Sequence, residues 1–128
     1  MANVIYPKAK EQMLQGGINL SSGTVKAALI DTGAYTYDAG HEFYSSVSGV
    51  VGTPTALASK TFTNGLFDAA DTTFTAVTGT GTEAILIYID TGVAGTSRLI
   101  AFFDTSVSAT PNGGDIVIAW NASGIFQL

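Results

Sequence analysis

"EAILIYIDTGVAGTSRLIAFFDT" occupies residues 83–105, and its reading decides the fold. Two apolar runs, 83–90 and 97–104, flank a short segment of Thr, Gly, Ala and Ser. Each run has the length of a strand and is dense in Ile, Leu, Phe and Tyr. They are the two most apolar segments of the chain, which predicts them as central strands. The break between them carries the glycines and hydroxyl residues of a turn.

Working outward, other segments show the same character. "TVKAALID" (24–31) is apolar on both alternating faces, as a largely buried strand would be. "LASKTFTNGLFDA" (57–69) centres on Asn64-Gly65, a strong hairpin signal. "TTFTAV" (72–77) places Phe74 opposite Thr73 and Thr75. "DIVIAWN" (115–121) and "GIFQL" (124–128) complete the set. One helix is predicted, in "YPKAKEQMLQGG", with Pro7 near its start and Gly16-Gly17 past its end. Ile5, Ala9, Met13 and Leu14 are expected on its inner stripe. The pattern predicts one all-β domain over 1–128, a sandwich or jelly-roll-like barrel of about eight strands with a short N-terminal helix. Residues 1–17 form its N-terminal arm and helix. Residues 32–56 read as one long interaction loop carrying Tyr35, Tyr37, Phe43 and Tyr44.

The opening stretch also raises a catalytic question. "YIDTG" (88–92) matches "LIDTG" (29–33), and apolar-apolar-Asp-Thr-Gly is the signature of aspartic proteases. In that chemistry two carboxylates share one proton across a twofold axis. A two-lobed enzyme needs more chain than separates Asp31 from Asp90, and a dimeric one needs a single such loop. The third copy, "FFDT" (102–105), ends in Ser106 rather than Gly. A motif that recurs at three strand ends fits turn chemistry: Asp accepts hydrogen bonds from the backbone two residues on. A protease using Asp31 is kept only as a remote alternative.

No other constellation points to catalysis or to a cofactor. His41 is the only histidine, and Asp38 and Glu42 beside it do not make up the three or four ligands a metal site needs. It reads as a solvated loop residue, with no metal expected. Asp68 and Asp71 in "DAAD" read as a loop rather than a sugar-flanking acid pair. Trp120 reads as a core residue rather than a carbohydrate platform. There is no G-x-S-x-G elbow and no phosphate-binding glycine loop.

Bulk composition narrows the partners. Ten acids oppose five bases, and the bases are scattered, which argues against a nucleic-acid binder. No apolar run approaches the ~20 residues of a membrane-spanning helix, and the charged N-terminus does not read as a signal peptide. Synthesis in the cytoplasm, without processing, is expected. There are no cysteines. Charged residues are only 12% of the chain, which suits a surface that packs against other proteins.

Four segments carry a resemblance over nearly the full length: "ANVIYPKAKEQMLQGGINLSSGTVKAALIDTGAYTY", "KTFTNGLFDAADTTFT", "YIDTG..GTSRLIAFFDT" and "TPNGGDIVIAWN.SGIF". The chain resembles small virion structural proteins of tailed bacteriophages, most closely the capsid decoration (cement) proteins. That resemblance implies a non-enzymatic β domain, a homo-oligomer with a trimer favoured. It implies the major capsid protein as partner and the capsid exterior as location, after synthesis in a bacterial host. Tail, neck and head-fibre components are the alternatives. Under this reading Val4, Ile5, Tyr6, Tyr35, Tyr37, Phe43 and Tyr44 are the candidate interface. The arm before the helix would dock on the shell.

Overall fold

The computed structural model describes residues 4–104, 108–120 and 124–127. It is all-β and sandwich-like, with one short helix before most of the strands. The main sheet is antiparallel and has five strands: β1 (Val4–Ile5), β2 (Thr24–Ile30), β3 (Val50–Ala56), β6 (Ala84–Asp90) and β7 (Leu99–Phe103). Their spatial order is β1-β7-β6-β2-β3, so the opening stretch supplies the middle of the sheet. Two ribbons accompany it: β4 (Leu66–Phe67) with β9 (Phe126–Gln127), and β5 (Thr72–Phe74) with β8 (Ile116–Ile118). The sheets do not close into a barrel.

Burial explains why these strands carry little alternation. Ala27–Ile30, Ala84–Tyr88 and all of β7 are buried on both faces. Both sides of the sheet must therefore be covered, and apolar side chains are favoured at every position. One cover is the β2–β3 connection, residues 31–49. Its Tyr35 and Tyr37 rings lie 5.8 and 5.7 Å from Phe102, and Tyr44 stacks on Tyr88 at 4.2 Å. Register places Phe102 opposite Leu86, and Tyr88 opposite Lys26, so these residues share one face. Phe103 projects to the other face and shares a shallow groove with Ile125 and Phe126.

The helix, α1 (Pro7–Gln15), begins where β1 ends. The Tyr6 N–H completes the ladder to the Ile100 carbonyl at 2.9 Å, while its own carbonyl accepts from Ala9 and Lys10 in the first helical turn. One residue thus closes a strand and opens a helix. Gly16, at φ +77°, ends α1 in the left-handed conformation that glycine adopts without strain. Ala9 is buried against the core and Met13 is half-buried. Leu14 is 89% exposed, so the inner stripe is narrower than the sequence suggested.

Two boundaries differ from expectation. The long loop stops at residue 49, because residues 50–56 form β3. "GTP" inside this stretch looks like a loop, but β3 is an edge strand with a register shift opposite Ala27–Leu29. Such an edge accommodates Pro54 and the positive φ of Gly52. The Asn64-Gly65 turn forms as expected, both residues having positive φ, and Thr61 and Asp68 exchange two backbone hydrogen bonds across it. A further bond from the Ala70 N–H to the Ala58 carbonyl at 2.9 Å joins the two arms, while β4, nearer the turn, pairs with the C-terminal β9.

Candidate interaction surface

The candidate interface residues separate into two groups. Val4 and Ile5 lie half-buried in β1, at the free edge of the main sheet. Tyr6 is 0% and Tyr35 3% exposed, so neither can present its ring to a partner, which corrects that expectation. Tyr37 is half-buried with its ring 5.0 Å from that of Tyr6. Phe43 lies under the Arg98 guanidinium at 5.0 Å, and Arg98 is held by Glu42 at 2.5 Å. Tyr44 spends one ring face on Tyr88. The loop aromatics are chiefly a lid on the sheet.

The physical reason is hydroxyl partnership. A buried tyrosine needs a polar contact for its oxygen. Tyr6 and Tyr35 supply each other at 2.8 Å, and the Tyr35 hydroxyl also meets His41 Nδ1 at 2.8 Å. Burial pushes both phenols above their ordinary range, so they stay protonated. His41 is accordingly a half-buried, hydrogen-bonded member of the lid rather than a solvated loop residue.

The N-terminal arm is corrected in the same way. Residues 1–3 lie outside the described residues, but residues 4–6 are built into the sheet. What remains accessible is a groove of about 340 Å³ lined by Val4, Ile5, Lys10, Phe103, Ile125 and Phe126, with Gln127. Phe67 contacts Phe126 at 5.1 Å and Phe62 at 5.6 Å, extending the aromatic strip to the 39% exposed Phe62. Sequence reasoning missed Phe103, Ile125 and Phe126. The signal was present in the short alternation of "GIFQL", but nothing local indicated that the chain end would pack beside its beginning.

The Asp-Thr-Gly repeats behave as turns. Asp31 Oδ1 accepts the Gly33 N–H at 2.8 Å, and Asp90 Oδ1 accepts the Gly92 N–H at 2.9 Å. Asp31 Oδ2 takes the Thr80 hydroxyl at 2.8 Å, and Asp90 Oδ2 pairs with Lys26 at 2.7 Å. These contacts, Thr80 first for Asp31 and Lys26 first for Asp90, hold both carboxyls below their ordinary range. β2 and β6 are paired from Thr24↔Asp90 to Ile30↔Ala84, so Asp31 and Asp90 lie at opposite ends of the pair. At the usual strand rise they are roughly 20 Å apart, so within one chain they cannot share a proton. The third repeat runs into Thr105, outside the described residues.

The remaining candidates occupy turn, loop and strand-end positions. Asp68 Oδ1 accepts the Ala69 N–H, and Asp71 is exposed in the β4–β5 loop. Trp120 is half-buried and donates its indole N–H to Thr72 at 3.2 Å, tying the end of β8 to β5. Among the described residues no three His, Asp or Glu side chains converge as a metal site. No helix among them is long and apolar enough to cross a membrane. No family model matches the chain, and no curated protein matches it at a significant level.

Proposed function

We propose that this is a non-enzymatic virion protein of a tailed bacteriophage that binds the outer capsid surface at subunit junctions and stabilises the shell. The observation that carries the reading is the open groove along β1 and β9, where Val4, Ile5, Phe103, Ile125 and Phe126 lie beside Lys10 and Gln127, on a chain with only 12% charged residues. Val4, Ile5, Ile125 and Phe126 are half-buried there, leaving apolar surface for a neighbour to cover. At ~25 cal/mol per Å² of apolar area, a modest contact repeated around a shell by a homo-oligomer adds up to tight binding. The acidic balance favours the outer face, away from packaged DNA. The partner in this reading is the major capsid protein, and a trimer places three grooves around one junction.

Purified protein is mixed with expanded capsids lacking accessory proteins, and co-sedimentation and shell heat resistance are measured. Saturable binding and a raised disruption temperature are expected. Protein that stays in the supernatant, or that binds only isolated tails, overturns the capsid placement. Light scattering reads the oligomeric state separately.

A further inference from the structure

We propose that the Tyr6–Tyr35–His41 chain is an acid-sensitive latch: it holds the 31–49 connection on the β1–α1 junction while His41 is neutral and loosens when the imidazole takes a proton. The latch rests on the number of hydrogens available and is independent of the proposed function. The chain has two contacts, Tyr6 Oη to Tyr35 Oη and Tyr35 Oη to His41 Nδ1, each 2.8 Å. With a neutral imidazole protonated at Nε2, two hydroxyl hydrogens fill two contacts. Tyr6 donates to Tyr35, and Tyr35 donates to Nδ1.

An imidazolium brings a third hydrogen to the same two contacts. Nδ1–H must now donate to the Tyr35 oxygen, so one hydroxyl hydrogen loses its acceptor. Neither hydroxyl has another hydrogen bond among the described residues, and both residues are essentially closed to water. A buried donor left unsatisfied is destabilising.

Tyr37, Asp38 and Glu42 come from the same loop, Tyr6 from the β1–α1 junction, and Arg98 from the approach to β7. Glu42 is held by Arg98. Asp38 Oδ1 takes the Gly40 N–H at 2.7 Å, and the Asp38 carbonyl takes the His41 N–H at 3.0 Å. The Asp38 charge adds to burial in keeping Tyr6 and Tyr35 protonated, so the hydroxyl hydrogens are present throughout. Histidine ordinarily changes charge between pH 5 and 8. Closure is therefore full with the neutral ring and weakened with the protonated one.

Hydrogen–deuterium exchange of a peptide spanning residues 32–48, corrected for intrinsic rates, tests this at pH 7.5 and 5.0. Protection in the native chain should fall about tenfold on acidification, while residues 84–90 stay protected. In His41→Gln, whose amide oxygen accepts from Tyr35 but cannot take the proton, protection should be equal at both pH values. Should that variant not fold, Tyr35→Phe should give low protection with no pH dependence. Equal protection of the native chain at both pH values, or the same acid loss in either variant, overturns the proposal.

Discussion

The 31–49 connection and the β1–β9 groove are both rich in apolar and aromatic side chains, and they use them in opposite ways. In the connection, Tyr35, Tyr37 and Tyr44 turn inward onto Phe102 and Tyr88, and the buried hydroxyls satisfy one another. Along the groove, Val4, Ile5, Ile125 and Phe126 stop half-buried, with no further layer over them among the described residues. Aromatic density in a loop is thus no sign of an interface when the loop can fold back on a sheet.

Phe102→Ala gives the largest expected effect. It removes the ring that both Tyr35 and Tyr37 pack against, and should cost about 3–5 kcal/mol in urea unfolding. A loss below ~1 kcal/mol would show that the connection is not a lid. Tyr35→Phe keeps the packing and removes both hydroxyl contacts, stranding the buried Tyr6 oxygen, so about 1–3 kcal/mol is expected by the same measurement.

The groove should respond inversely. Ile5→Thr leaves the β1 ladder in place and should change stability by under ~1.5 kcal/mol, because the site is only half-buried. It should weaken capsid co-sedimentation at least about tenfold if the groove carries binding. Unchanged binding would move the interface elsewhere.

The smallest effect belongs to the Asp-Thr-Gly turns. Asp31→Asn keeps an oxygen for the Gly33 N–H, and Thr80 can donate to that residue or accept from it. The thermal unfolding midpoint at pH 7 should stay nearly unchanged. Acid provides the complementary test. Both Asp31 and Asp90 are held below their ordinary range by partners in the folded chain. Their stabilisation is present above the unfolded aspartate pKa of about 4 and is lost as pH falls below it. Asp31→Asn should slightly flatten that acid loss, and Asp90→Asn should flatten it more by removing the Lys26 pair.

Local chemistry made much of this legible in the sequence. The runs at 83–90 and 97–104 are strands because unbroken Ile, Leu, Phe and Tyr leave no polar face. Pro7 and Gly16 bracket α1 because one lacks a donor the first turn does not need and the other adopts positive φ freely. Asp31 and Asp90 start turns because a carboxylate reaches the N–H two residues on. Each of these depends on neighbours within a few positions. The tertiary structure alone decided that residues 50–56 pair as an edge strand, that Tyr6 and Tyr35 face each other, and that Phe126 lies beside Val4 and Ile5. Those contacts join residues far apart in the chain, and no local propensity encodes a partner. They form because a sheet buried on both faces must be covered, and the covering pieces come from wherever the chain passes.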